Sequence, residues 1–285
     1  MKKIGFIDYY LDEFHANKYP KWIEEASGGT MRVAYAYGKI DSPAGISNAE
    51  WCRSHGVELL DTIEDVVERS DYLIVLSPDN PEFHEELSDL PLRSGKPTYI
   101  DKTFAPDRAA AERMFQLAGQ YGTPMYSTSA LRYAAEYTAD SQLEAETISS
   151  WGPGLFDTYA IHQIEPIVAL MGAGASRVMY TGTAASPALL IDFGNGRQAS
   201  LNQLGWECPF MMAVKYIEGP TVVKKVESPF FELFIESMVS FFRTSIPAVA
   251  SSETLSVITI IEYGIKAMEK PHQWVQLPSI DGSRH

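Results

Sequence analysis

Hydrophobic positions in the first part of the chain fall into short runs separated by stretches of helical spacing. Residues 4–7, 32–37, 72–76 and 98–101 are apolar runs too short for helices, and each predicts a strand. Residues 14–26, 49–55, 63–68 and 82–92 carry apolar positions at helical spacing and predict helices, with a short strand over 57–60. Residues 106–121 predict a further helix with Pro106 in its first turn, where a missing N–H is harmless. Residues 125–127 predict a last short strand. Alternation of strand and helix means an α/β unit with a mostly parallel, doubly wound sheet.

The pattern changes after residue 126. Residues 144–150 alternate like a strand, and 157–171 show helical spacing that stops at Gly172. Residues 176–183, 188–193 and 198–204 are strand-like, and Asn195-Gly196 between the last two is a strong hairpin signal. Residues 211–217 and 221–227 predict another antiparallel pair around Glu218-Gly219-Pro220. Residues 230–243 and 254–268 predict helices. The first is apolar almost all round and is expected to be buried or at an interface. The second places Leu255, Ile258, Ile261, Ile265 and Met268 on one face. The expectation is two domains, 1–126 and 127–285, the second an α+β domain with a largely antiparallel, open-faced sheet.

Composition narrows the function classes. A hydrophobic fraction of 45% and an aromatic fraction of 12% support a sizeable core. A formal charge of -14 with no Lys/Arg cluster repels phosphate backbones, which argues against nucleic-acid binding. Cys52 and Cys208 form no metal-ligand or redox pattern, so no metal site and a reducing compartment are expected. Met1-Lys2-Lys3 is followed by too short an apolar run for a signal peptide. No stretch approaches the ~20 apolar residues of a membrane span. A cytoplasmic globular protein without a membrane partner is the expectation.

Candidate chemistry gathers at strand ends. The strand at 72–76 runs into Ser77-Pro78-Asp79-Asn80-Pro81, followed by a helix carrying His84. Gly95-Lys96-Pro97-Thr98-Tyr99-Ile100-Asp101-Lys102 predicts a strand ending on an acid–lysine pair. Open α/β sheets deliver side chains to a crevice at such ends. The first strand opens into Asp8-Tyr9-Tyr10-Leu11-Asp12-Glu13 instead of a glycine-rich phosphate turn. Glycines there permit the tight bend and close approach of a pyrophosphate. Asp8 and Tyr10 stand where the first two would be, while Asp12 and Glu13 put negative charge at a helix N-terminus. The alternative reading of this segment is a carboxylate-rich N-cap and first turn. The second strand ends at Tyr37-Gly38-Lys39, without the acid that grips a ribose diol, and Lys39 is the group there for a 2′-phosphate.

These residues resemble a known family. Ser77-Pro78-Asp79-Asn80 with His84, then Gly95 through Lys102-Thr103, then Leu131-Arg132-Tyr133 are similar to motifs of the Gfo/Idh/MocA oxidoreductases. The resemblance resumes from Gly152-Pro153-Gly154 through His162 to Gly172. It appears again at Ile246-Pro247 and Ser252-Glu253-Thr254, covering nearly the whole chain with a shortened second domain. It implies a Rossmann-type domain followed by an open-faced sheet domain. It also implies hydride exchange between NAD or NADP and a sugar, inositol or related polyol, in a homodimer or homotetramer. Asp101-Lys102-Thr103 corresponds to the family's Glu-Lys-Pro motif, and His162 to its catalytic histidine. The residue four before His162 is Thr158, with Asp157 one place earlier, and Glu165 takes the place of an acid three residues after it.

The implied catalytic residues are Lys102, His162 and Asp157. The implied cofactor-binding residues are Asp8, Tyr9, Tyr10, Lys39, Ser77, Pro78, Asp79, His84 and Asp101, and the implied substrate residues are Arg132, Tyr133 and Glu165.

Each candidate has a structural alternative. Lys102 is a hydrogen-bond donor to a substrate hydroxyl, or a surface lysine paired with Asp101. His162 is a general base, or a half-buried helix histidine satisfied by a neighbour. His84 is a crevice residue, or a helix-start histidine with a structural hydrogen bond. Arg132 and Tyr133 reach substrate across the domain cleft, or make a domain-bridging ion pair or stacking contact. Trp206 stacks on a sugar ring, or packs in a core or interface. His15 falls near the family's loop-end histidine. Two functions follow: a polyol or sugar oxidoreductase, or a non-catalytic sugar-sensing or scaffold protein that has lost dinucleotide binding.

Overall fold

The computed structural model of the chain describes residues 1–140 and 142–280. Its elements run β1 (Lys2–Asp8), α1 (Phe14–Ser27), β2 (Met31–Gly38), α2 (Asn48–His55), β3 (Glu58–Leu59), α3 (Ile63–Arg69), β4 (Tyr72–Val75), α4 (His84–Arg93), β5 (Thr98–Ile100), α5 (Arg108–Tyr121) and β6 (Met125–Tyr126). The chain continues through α6 (Ala135–Thr138), β7 (Ala145–Gly152), α7 (Phe156–Met171), β8 (Arg177–Tyr180), β9 (Ala188–Gly194), β10 (Arg197–Gln203), β11 (Met211–Tyr216), β12 (Thr221–Lys225), α8 (Phe230–Thr244), α9 (Ser251–Met268) and β13 (Trp274–Gln276).

Two compact units result among the described residues: 1–128 with 232–250, and 129–231 with 251–280. In the first unit six parallel strands lie in the order β3-β2-β1-β4-β5-β6, the doubly wound arrangement that alternation implies. The chain order reverses between β1 and β4, so the ends of these two strands flank the crevice. Phe6, Ile7, Leu73, Ile74 and Val75 are fully buried, as expected for a sheet covered on both faces.

α8 belongs to this first unit, and its aromatic residues reach the sheet. Phe242 stacks on Tyr72 at 4.9 Å between centroids, Phe241 meets Tyr126 edge-on at 4.8 Å, and Phe234 lies 5.5 Å from Tyr99. Glu232, Glu236, Ser240 and Arg243 are exposed, so α8 is two-faced and not apolar all round. These four recur at helical spacing, and the sheet needs only the opposite stripe.

The second unit holds a seven-stranded sheet, β12-β11-β7-β10-β9-β8-β13, antiparallel except for the β7–β10 pair. Its core joins Ile148, Leu189, Ile191, Leu201, Met212 and Val214 to Ile164, Ile167 and Val168 of α7. Asn195 (φ 54°) and Gly196 (φ 80°) form the β9–β10 turn, both left-handed as a tight hairpin requires.

Three further expectations need correction or addition. α5 begins at Arg108 with Asp107 as its N-cap, accepting from the Ala110 N–H, so Pro106 precedes the helix and is not in its first turn. Of the expected face of α9, Ile258 and Ile261 are buried and Met268 packs against the core, while Ile265 is 44% exposed. Burial of α9 is wider than one stripe, since Thr254, Ser256, Val257, Thr259, Ile260, Gly264 and Ala267 are buried as well. β13, which the pattern does not signal, adds to β8. No described helix is long and apolar enough to cross a membrane, and no described group of His, Cys, Asp and Glu side chains could hold a metal ion.

Candidate active-site residues in the two units

In the first unit the strand ends deliver a buried polar cluster. β1 ends on Asp8, whose carboxylate is buried and accepts the Tyr9 N–H at 2.7 Å. β5 leads into Asp101, which is buried and accepts from the Tyr99 hydroxyl at 2.9 Å. His15, in the first turn of α1, places Nδ1 3.2 Å from Glu13 Oε2 and 3.4 Å from Asp101 Oδ2. Burial is the largest influence on this imidazole and lowers its pKa, but Asp101 and Glu13 outweigh it and hold the ring above its ordinary value. Burial also pushes the Asp8 carboxyl well above the usual carboxylate range, with Glu13 adding to the effect. The Tyr10 hydroxyl is raised by burial and then by Asp79, Asp8 and Glu13.

Lys102 follows Asp101 and is buried, its Nζ donating to the Pro78 carbonyl at 3.1 Å and standing 3.6 Å from Asp79 Oδ1. Pro78 and Asp79 belong to the turn after β4, which begins at Ser77 in a left-handed conformation (φ 83°). His84 is fully buried. Its Nε2 lies 2.6 Å from the Leu76 carbonyl, and its Nδ1 lies 2.9 Å from that of Thr103 and 3.1 Å from that of Phe104. Burial holds this ring below its ordinary pKa, against the opposing pull of Asp101 and the carbonyls. His84 therefore ties the end of β4 to the segment after Lys102.

The β1–α1 turn is built from side chains. Glu13 is the N-cap of α1: its carboxylate accepts from the His15 N–H at 2.7 Å and from the Ala16 N–H. Asp12 accepts from the Ile46 N–H at 2.9 Å and from the Asn17 amide at 3.0 Å. Leu11 is fully buried, and its N–H donates to Asn48 Oδ1 at 3.0 Å. Tyr9 stacks on Phe83 with centroids 4.1 Å apart. Lys39, at the end of β2, pairs with Glu86 of α4 and lies over the Phe83 ring at 5.2 Å.

In the second unit His162, on α7, has Nδ1 2.7 Å from the Ser129 hydroxyl. Tyr159, one turn before it, meets its ring edge-on at 4.9 Å and meets Trp206 at the same distance. Trp206 is 62% exposed. Asp157 is exposed in the first turn of α7. Five residues before His162, it lies about 140° round the helix from it. Arg132 pairs with Glu165 at 3.2 Å and with Glu253, so its guanidinium is held between two carboxylates. Tyr133 ends the short helical turn Ala130–Tyr133.

The structure thus brings Asp8, Tyr10, Asp79, Asp101 and Lys102 to the strand ends of the first unit, with Lys39 engaged by Glu86. It brings Arg132 and Glu165 together in the second. Sequence reasoning missed Ser129 and Phe83, which nothing in their local sequence marks.

No protein-family model and no curated protein sequence matches the chain. Solved structures do match in fold. The apo scyllo-inositol dehydrogenase of Lactobacillus casei superposes with a TM-score of 0.78 at 17% identity, over 96% of this chain and 98% of that one. The myo-inositol 2-dehydrogenase of Lactobacillus plantarum gives 0.78 at 13% identity, over 97% and 99%. The L. casei scyllo-inositol dehydrogenase with bound NAD(H) and scyllo-inositol gives 0.74 at 15% identity, over 96% and 98%. The fold is the one that the Gfo/Idh/MocA resemblance implies.

Proposed function

We propose that this chain is a sugar- or polyol-binding protein on a dehydrogenase fold, working as a sensor or scaffold and not as a hydride-transferring enzyme. The observation that carries this reading is the Glu13 carboxylate seated on the N-terminus of α1, where the fold would otherwise receive a pyrophosphate. The ligand end is well equipped. Trp206 and Tyr159 offer aromatic surface to the apolar face of a sugar ring, and His162 offers a hydrogen-bonding imidazole oriented by Ser129. The first unit, taken by itself, offers Lys102 as a polar group of the kind that recognises hydroxyls. The open face of the second unit's sheet is the surface for self-association into a homodimer or homotetramer.

A second reading keeps the oxidoreductase activity that the resemblance implies, on a sugar, inositol or polyol with NAD or NADP. It is favoured by Lys102 standing at the end of β5 and by the Ser129–His162 pair. There each unit would supply one group of the chemistry: Lys102 of the first a hydrogen-bond donor to hydroxyls, His162 of the second a general base.

Isothermal titration of the nucleotide-free protein with a panel of inositols, aldoses and alditols tests the proposal. Saturable binding that Trp206→Ala and His162→Ala weaken about tenfold or more is expected. Reduction of NAD or NADP in the presence of any of these compounds would overturn the sensor reading in favour of the enzyme.

A further inference from the structure

We infer that the β1–α1 turn of this chain does not fit a dinucleotide and that Glu13 acts as an internal anion there, filling the place of the phosphate and held in it by His15 and Asp101. An α-helix leaves its first N–H groups without internal partners, and these form the anion site of dinucleotide-binding turns. In α1 the His15 and Ala16 N–H groups go to the Glu13 carboxylate, and the Asn17 N–H goes to the Glu13 carbonyl at 3.0 Å. The Glu13 side chain is only 8% exposed, which removes it from competition with water.

The lock has two further parts. His15 Nδ1 stands between Glu13 Oε2 and Asp101 Oδ2, so the cap is tied electrostatically to the end of β5. On the other side Leu11, Asp12 and Tyr9 are each anchored, to Asn48, to Ile46 with Asn17, and to Phe83. Making room for a pyrophosphate would therefore break these contacts. Asp8 and Tyr10 place side chains where backbone would have to approach the ligand. An arriving pyrophosphate meets an occupied donor set and a carboxylate of its own sign.

The inference rests on the sensor reading for its functional sense, but its test is separate. Fluorescence titrations with NADH and NADPH would compare the wild-type chain with Asp8→Gly/Tyr10→Gly/Glu13→Gly. The wild type should show no saturable binding, and the triple variant should gain it, with affinity at least about tenfold above the wild type. Glu13→Gly alone, titrated with inorganic pyrophosphate, is a milder companion, since glycine is a tolerated N-cap. It should bind pyrophosphate where the wild type does not. Saturable NADH or NADPH binding by the wild type overturns both the inference and the sensor reading. Failure of both the folded triple variant and Glu13→Gly to gain their ligands overturns the inference alone. Polyol binding without nucleotide would still stand in that case.

Discussion

Arg132 and Glu165 form a nearly solvent-free ion pair, Nη1 to Oε2 at 3.2 Å, with side chains 15% and 2% exposed. Glu253 supplies a second carboxylate to the same guanidinium. Glu165→Ala leaves Glu253 to balance the guanidinium but removes one charge-assisted hydrogen bond, and should cost about 1.5–3 kcal/mol. Thermal denaturation should show this as a fall of roughly 3–6 °C in Tm. A shift within about a degree would place the energetic weight on Glu253 alone.

Asp8→Asn should stabilise the protein, and more at pH 8 than at pH 5. Burial, with Glu13 adding to it, holds the Asp8 carboxyl well above the usual carboxylate range. The folded state then keeps a proton that the unfolded chain releases above about pH 4. Stability falls as pH rises from there through the folded-state pKa. Asparagine removes that dependence and keeps an oxygen for the Tyr9 N–H. His15 acts in the same direction: its raised pKa stabilises fully below about pH 6.5, and that contribution is lost as pH rises through the folded value. Melting curves of both chains across this range would check it, and a Tm difference constant with pH would contradict it.

Gly196→Ala should destabilise by about 1 kcal/mol or more, because the residue holds φ 80° in the β9–β10 hairpin. Asn195→Gly, at φ 54° beside it, should change stability by less than about 0.5 kcal/mol. Urea unfolding of the two variants separates the expectations.

The alternation of elements is legible in the sequence because local spacing carries it: runs such as 72–76 must be strands and stretches such as 157–171 must be helices. Hairpins are legible where a turn has chemistry of its own, as at Asn195-Gly196. The site is only partly legible. Lys102 and Asp101 stand out as polar residues ending an apolar strand. Glu13 is harder, because glutamate is not among the usual N-caps, and its capping depends on burial beside His15. The Ser129–His162 contact joins residues far apart in sequence and has no local sign. α8 misleads for a different reason. Its phenylalanines crowd the sequence, and the recurrence of Glu232, Glu236, Ser240 and Arg243 at helical spacing that marks its wet face is easily overlooked.

The return of α8 to the first unit bears on how the chain is made. The sheet is complete once residue 126 has left the ribosome. The rings that cover Tyr72, Tyr99 and Tyr126 arrive only with residues 232–250, after all of 129–231 has been synthesised. Through that interval the nascent sheet carries an uncovered aromatic face, a surface suited to chaperones or to aggregation. Cutting the gene after residue 128 would make that transient state permanent. An expression trial of such a fragment should give inclusion bodies unless a segment spanning 232–250 is supplied.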